Sequence, residues 1–147
     1  MGVRSTPEYQ LTIPQSPMQY NNKSAIRTPI INKVITLNKA LVEAGRKLPK
    51  GKKGANVVMP VDIRHNYFAP VLKSGALLFM YAMRQLKGKD YVKRALEVVE
   101  EIQANCYLIH LLGGWNERKC AEFDLLCDEI ASHLHAIASA AKASQNR

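Results

Sequence analysis

Four stretches of this chain repeat apolar residues at steps of three and four, and this repeat constrains the fold more than any other feature. Such steps place side chains on one face of an α-helix. A mean step of about 3.5 residues is typical of helices that pack side by side in a bundle. No stretch of useful length alternates as a β-strand would. The four repeats are Ile30, Val34, Leu37, Leu41, Ala44 and Leu48; Leu72, Ala76, Phe79, Met83 and Leu86; Val92, Ala95, Val99, Ile102, Cys106 and Ile109; and Cys120, Phe123, Cys127, Ile130, Leu134, Ile137 and Ala141.

Prolines indicate where the first two helices begin. Thr28-Pro29 supplies a capping residue followed by proline at the first helical position. Pro49 and the glycines after it are expected to end this first helix. The start of the second helix stays open, because Pro60 and Pro70 each suit a first helical turn. Pro70 would kink a helix that began earlier.

Glycines and small polar residues delimit the third and fourth helices. Gly88 is expected to end the second helix, and Gly113-Gly114 the third. Asp90 is expected to cap the third helix and Asn116 the fourth, since short polar side chains accept hydrogen bonds from free backbone N–H groups.

The sequence therefore predicts an all-α protein, an antiparallel up-down-up-down four-helix bundle over residues 29–142. Short connections between consecutive helices favour antiparallel neighbours. Residues 1–28 are polar and rich in proline, so we expect an extended N-terminal arm, and residues 143–147 form a tail.

Additional apolar residues on the first two helices predict a homo-oligomer. They lie beside the core repeats and exceed what one slim bundle can bury, which indicates contacts between subunits. These residues are Ile31, Ile35 and Val42 on the first helix and Val71, Leu78 and Ala82 on the second.

The charge of the chain points to an anionic partner. The formal net charge is +9, with a sequence pI of about 9.6. Residues 1–58 hold ten Lys or Arg against two acids, whereas residues 59–147 hold eleven against ten. Glu97, Glu100 and Glu101 are expected to form an acidic belt on the third helix.

The predicted topology gathers basic residues at two ends of the bundle, as candidates for nucleic-acid binding. One end is expected to hold Arg46, Lys47, Lys50, Lys52 and Lys53, near Arg118 and Lys119. The opposite end is expected to hold Arg84, Lys87, Lys89, Lys93 and Arg94.

The stretch GRKLPKGKKG, residues 45–54, needs a separate explanation. It does not match a Walker-type phosphate loop, because Lys53 stands where Ser or Thr should bind magnesium and a helix precedes it instead of a strand. Arg46 and Lys47 can simply complement the negative end of the first helix. Lys50, Lys52 and Lys53 lie beyond that end, so contact with a phosphate backbone explains them better.

No catalytic constellation, metal site or cofactor motif is apparent, and the chain is predicted not to be an enzyme. Cys106 with His110, and Cys120 with Cys127, share helix faces, but the cysteines stand at core positions and form no C-x-x-C pair. An odd number of cysteines favours a reducing cytoplasm. No apolar run is long enough for a membrane span.

Trp115 leaves two interpretations open. It follows the glycine pair between the third and fourth helices, where it can cap the end of the bundle. An exposed indole beside Arg118 and Lys119 can instead stack on a nucleic-acid base.

Several segments resemble a known family of small four-helix bundles. The end of the first helix with LPKGKKG, the helix YVKRALEVVEEIQANCYLIHLLGGW and the helix AEFDLLCDEIASHLHAIAS are similar to the accessory variability determinant (Avd) family of diversity-generating retroelements. Ribosomal intervening-sequence bundle proteins are related to that family. The resemblance covers roughly residues 30–141, and the arm and residues 55–69 depart from it.

The resemblance implies a homopentameric barrel of bacterial or phage origin that does not itself catalyse a reaction. Such an assembly binds a reverse transcriptase and its template RNA and supports mutagenic copying of that RNA. Carried onto this chain, the basic candidates are Arg46, Lys47, Lys50, Lys52 and Lys53. The alternative is a small helical scaffold for protein interactions, with no nucleic-acid role. The sequence does not distinguish RNA from DNA.

The basic stretch gives a first testable prediction. Replacing Lys50, Lys52 and Lys53 together with alanine should leave helicity and assembly unchanged, because none of the three lies on a core repeat. The salt dependence of RNA binding should weaken by about two to three units of slope, since each lysine contacts about one phosphate. Binding titrations over a range of salt concentrations measure this, and an unchanged slope would make the stretch a solubilising turn.

Overall fold

The computed structural model describes residues 28–46 and 59–145, and no β-strand occurs within them. The predicted all-α class is confirmed. Residues 1–27, which include most of the predicted arm, lie outside the described ranges, as do Lys47, Lys50, Lys52 and Lys53. The helices are α1 (Pro29–Ala44); α2, which comprises Val61–Ile63, a π-helical turn Arg64–Phe68 and Ala69–Leu86; α3 (Val92–Leu111); and α4 (Glu117–Gln145).

The four helices enclose one hydrophobic core. Helix α1 packs against α2 and α4, and α3 packs against the same two helices, so α1 and α3 lie across the diagonal of the bundle. The largest side chains of the core are fully buried. They include Phe123, Ile31, Leu37, Leu41, Leu78, Ile102, Ile109, Ile130 and Leu134.

The repeats predicted for α1, α3 and α4 mostly face this core. All six residues of the α3 repeat are buried, from Val92 to Ile109. The α1 repeat is buried from Ile30 to Leu41. The α4 repeat is buried from Cys120 to Leu134, and α4 then continues to Gln145 with Ala141 exposed.

The repeat predicted for α2 is wrong by one residue. Ala76 and Leu86 are exposed, and Leu72, Phe79 and Met83 are only half-buried. The face of α2 that enters the core instead carries Phe68, Val71, Gly75, Leu78 and Ala82.

A close approach between α1 and α2 explains this orientation. The amide nitrogen of Asn38 donates hydrogen bonds to the Val34 carbonyl at 2.9 Å and to the Gly75 carbonyl at 3.0 Å. A Cβ atom on Gly75 would lie only 2.6 Å from Oδ1 of Asn38. Helices α1 and α2 can therefore pack this closely only when Gly75 faces α1. Gly75 thus determines which side of α2 is buried.

The π-helical turn resolves where α2 begins. The helix starts at Val61 with Pro60 at its N-cap, and the Ala69 N–H bonds the Arg64 carbonyl five residues earlier. Such a turn accommodates the N–H that Pro70 lacks. It also aligns residues five apart, which brings both Ile63 and Phe68 into the core.

Most of the residues predicted to form subunit contacts belong to the core of a single chain. Ile31, Val71, Leu78 and Ala82 are all buried within the bundle. They are inward-facing because α2 is rotated relative to the predicted repeat and α1 has a wide apolar face. Val42 remains exposed, with 45% of its surface accessible.

The predicted caps have different outcomes. Pro29 occupies the first helical position of α1, but the Thr28 side chain makes no capping hydrogen bond. Asn116 caps α4, since its Oδ1 accepts a hydrogen bond from the Lys119 N–H at 2.8 Å. The prediction for Asp90 is wrong, because Tyr91 takes the N-cap position of α3 without a side-chain bond.

The close approach at Gly75 leads to a prediction. Glycine to alanine inside a helix ordinarily stabilises a protein by about 1 kcal/mol. Gly75→Ala should have the opposite sign and destabilise this bundle by about 1–3 kcal/mol, because the new methyl group meets Asn38 Oδ1. Chemical denaturation measures the difference. Adding Asn38→Ala should recover part of the loss, and a stabilised Gly75→Ala variant would contradict the packing argument.

Candidate nucleic-acid interface

The connection between α2 and α3 is a tight turn with fixed geometry. The Lys89 N–H bonds the Arg84 carbonyl at 3.3 Å, and Gly88 adopts a positive φ of 87° that suits glycine. The Tyr91 N–H donates to Oε1 of Gln85 at 2.7 Å. These bonds join the last turn of α2 to the N-cap residue of α3, so the side chains on both helices hold a defined relation.

Tyr91 lies at the centre of an aromatic and cationic cluster on this turn. Its ring packs on Tyr81, with centroids 5.3 Å apart. The guanidinium carbons of Arg84 and Arg94 each lie 5.3 Å from the Tyr91 centroid. Nη1 of Arg84 also donates a hydrogen bond to the Tyr91 hydroxyl at 3.2 Å. Cation–π contacts of this kind orient the two guanidinium groups.

The turn gathers exposed positive charge. Within the described ranges, no acidic side chain forms an ion pair with any cation of this cluster. Asp90 and Glu97 are the acids nearest in sequence, and both are exposed. We call this surface the basic turn, defined by Arg84, Lys87, Lys89, Lys93 and Arg94.

The start of α3 adds to the positive potential. Its first turn contains no acid and its N-cap makes no side-chain bond, so free N–H groups and the positive end of the helix dipole face outward. Lys93 and Arg94 stand in this same turn, where cations are electrostatically unfavourable. A bound anion would relieve that repulsion.

The second set of predicted cations is partly neutralised. Arg46 pairs with Glu43 at 3.2 Å, and Lys119 pairs with Glu122 at 3.0 Å. Arg118 is exposed. Exposed pairs between residues three apart contribute only a few tenths of a kcal/mol, so each remains able to exchange partners.

Trp115 is part of the core and does not present its ring to a base. Its indole Nε1 donates to the Cys106 carbonyl at 3.0 Å. Its ring packs edge-on against Phe68, with centroids 5.9 Å apart, and lies 4.8 Å from the ring of Phe123. Of the two interpretations from the sequence, the capping of the bundle end is the one that this burial supports.

The three cysteines are free, buried thiols. Burial raises the pKa of the Cys127 thiol to about 12, and Asp124 and Asp128 add to this shift. Burial also raises the pKa of Cys106 and of Cys120. Within the part of the chain that the structure describes, no group of three His, Cys, Asp or Glu side chains converges as a metal site would.

Sequence reasoning missed the tyrosines of the basic turn. It predicted Lys87, Lys89, Lys93 and Arg94 from charge alone, whereas Tyr81 and Tyr91 are ten residues apart and separated by a helix end. The sequence signal that could have indicated Tyr91 was its position three residues before Arg94, at the start of the predicted third helix.

No protein-family model matches this sequence, and comparisons with curated proteins and with solved structures find no match. The resemblance to the Avd family therefore stays a prediction. No helix among the described residues is long and apolar enough to cross a membrane.

The buried thiols predict slow chemistry. At pH 8 only a minute fraction of Cys127 is thiolate, because its pKa is about 12. Ellman's reagent should therefore label Cys106 and Cys127 at least about a hundredfold more slowly in the native protein than in denaturant. Labelling kinetics followed by mass spectrometry measure each site. Rapid native labelling of Cys127 would contradict its burial in the core.

Proposed function

We propose that this protein is a non-catalytic basic accessory protein that binds nucleic acid, with template RNA as the preferred partner. In the fuller form of this proposal, it also binds a reverse transcriptase of a diversity-generating retroelement and supports mutagenic reverse transcription. It acts in the cytoplasm, and its three free cysteines are compatible with a reducing compartment.

The observation that carries the proposal is the basic turn. Its five cations are exposed and lack acidic partners among the described residues. Phosphate contacts from such cations supply affinity without reading sequence. The Tyr91 ring is in contact with two guanidinium groups and with Tyr81, so its chief contribution is to position Arg84 and Arg94.

We infer an antiparallel arrangement for the bundle. The Arg64 guanidinium donates to the Gly45 carbonyl, which connects the end of α1 to the start of α2. The Lys33–Glu129 pair, at 3.3 Å, links the N-terminal part of α1 to the middle of α4. Both contacts support up-down-up-down topology.

We also propose a homo-oligomer, and a pentameric barrel if the Avd resemblance holds. Several large apolar side chains are exposed in the isolated subunit. Among them are Leu111, with 61% of its surface accessible, and Tyr107, with 55%. Exposed apolar clusters commonly mark protein interfaces. A subunit ring would also repeat the basic turn around an assembly and raise its avidity for a long RNA.

A protein-interaction scaffold with no nucleic-acid role is the second candidate. The same exposed apolar residues on α3 favour it, since they offer a contact surface independent of charge. Heparin affinity separates the two functions. A scaffold should elute at low salt and copurify with no nucleic acid.

A charge reversal in the basic turn tests the proposed function. Lys93→Glu should weaken binding of a single-stranded RNA by about tenfold or more at low salt and reduce the salt slope by at least about one unit. Fluorescence anisotropy at several salt concentrations measures both quantities. Binding should weaken because the variant loses a phosphate contact next to the N-terminus of α3, which has no side-chain cap.

Lys73→Glu is the matched control. Lys73 is also an exposed helical lysine with no ion pair in the described ranges, but it lies away from the basic turn. Its reversal changes the net charge equally and should alter affinity by no more than about twofold. Equal losses for both variants would reduce the effect to net charge and contradict a localised site.

A further inference from the structure

Helix α3 carries an apolar ridge on its outer face near its C-terminal end. Tyr107, Leu108, Leu111 and Leu112 are all exposed there, at positions that share one side of the helix. We call these four residues the α3 ridge. Solvent-exposed positions usually hold polar residues, and four large apolar side chains within two helical turns form a contiguous patch.

The outer face of α3 becomes acidic immediately before the ridge. Glu97, Glu100 and Glu101 are exposed on the same side of the helix. None of them forms an ion pair within the described ranges. These carboxylates repel phosphates, so the ridge is unsuited to RNA and suits a protein surface with a positive border.

An apolar groove of about 640 Å³ lies between α1 and α2. Ile35 and Val42 line it from α1, and Ala76 and Phe79 line it from α2. Asn38 also lines the groove, and its amide nitrogen donates hydrogen bonds to the Val34 and Gly75 carbonyls. A volume of this size is typical of cavities that accept apolar groups, roughly 300–1,000 Å³.

The border of the groove is cationic, whereas the surface of α3 that precedes the ridge is acidic. Lys39 is exposed at the groove and has no ion pair among the described residues. Arg46 is also at the border, where it holds Glu43 in an exposed pair of 3.2 Å that can be exchanged. The ridge and the groove are therefore both apolar, and the charges beside them are of opposite sign.

The ridge cannot enter the groove of its own chain. The groove opens between α1 and α2, whereas the ridge lies on α3, which is across the bundle diagonal from α1. Only a second copy can bring the two surfaces together. Each copy would then use its ridge on one neighbour and its groove on another, a heterologous contact that closes into a ring or extends as a filament.

We propose that the α3 ridge of one subunit docks into the α1–α2 groove of the next. This contact rests on the homo-oligomer proposed above and is independent of RNA binding. It leaves the basic turn outside the contact, so assembly and phosphate binding use different surfaces. It also assigns the exposed Val42 and Leu111 to one interface.

Three aspartate substitutions at exposed apolar positions test the contact in the full-length chain. Leu111→Asp alters the ridge, Val42→Asp alters the groove, and Leu125→Asp, at a residue 62% exposed on α4, is the matched control. Sedimentation velocity should show that Leu111→Asp and Val42→Asp each weaken self-association at least about 30-fold. Leu125→Asp should associate as the wild type does.

Mixing the two variants distinguishes this contact from a symmetric dimer. The Leu111→Asp subunit retains its groove and the Val42→Asp subunit retains its ridge, so an equimolar mixture should form a one-to-one heterodimer. If Val42→Asp still associates as the wild type does, the ridge pairs with something other than the groove and the proposal is wrong. A mixture that stays monomeric would also overturn it.

Two further measurements complete the test. Far-UV circular dichroism should show native helicity for each variant, and Leu112→Asp replaces Leu111→Asp if the latter fails to fold. A monomeric wild type would overturn both the oligomer and the contact, whereas a wild-type oligomer unaffected by the ridge and groove variants would overturn the contact alone. The salt dependence of RNA binding, measured on the same proteins, tests the basic turn separately.

Discussion

Phe68 is the side chain through which all four helices meet at one end of the bundle. Its ring lies edge-on to Trp115, which in turn packs against Phe123 of α4 and bonds the Cys106 carbonyl of α3. Gly45, at the end of α1, lies directly against the Phe68 ring. Aromatic side chains bury large areas, so this cluster supplies a major part of the packing energy at that end. It exists because the π-helical turn rotates Phe68 inward.

The exposed face of α3 changes from basic to acidic to apolar along the helix. It begins with the cations Lys93 and Arg94, continues through three glutamates and ends with the apolar ridge. The buried face is uniform, since a single apolar repeat serves the core throughout. The first part attracts polyanions and the second repels them, so one helix separates the proposed phosphate-binding surface from the proposed surface for subunit contact.

The basic turn combines cations that contact an aromatic ring with exposed lysines in the connection between α2 and α3. Arg84 and Arg94 are held against Tyr91, which reduces the conformational entropy that they would lose in the proposed binding of a phosphate. Lys87 and Lys89 lie in the connection itself, and as exposed lysines they act as adaptable point charges. Such a mixture suits a backbone that varies in path, and it is poorly suited to reading base edges.

The sequence by itself determined the helical class, the core repeats of α3 and α4 and the cap at Asn116. These features depend on neighbours within a few residues, where helical periodicity and capping chemistry are decided. It also indicated Lys93 and Arg94 as binding candidates from charge. It could not place Tyr91 against Tyr81, because that pairing depends on how α2 turns into α3.

Tertiary structure decided which side of α2 is buried. Apolar residues occur on adjacent faces of that helix, so both the predicted repeat and the observed one satisfy local periodicity. The choice came from α1, since Asn38 can reach the Gly75 carbonyl only where no Cβ intervenes. The same rotation buries Val71 and leaves Ala76 in the groove. A contact between two residues that are 37 positions apart in the chain carries information that no local pattern contains.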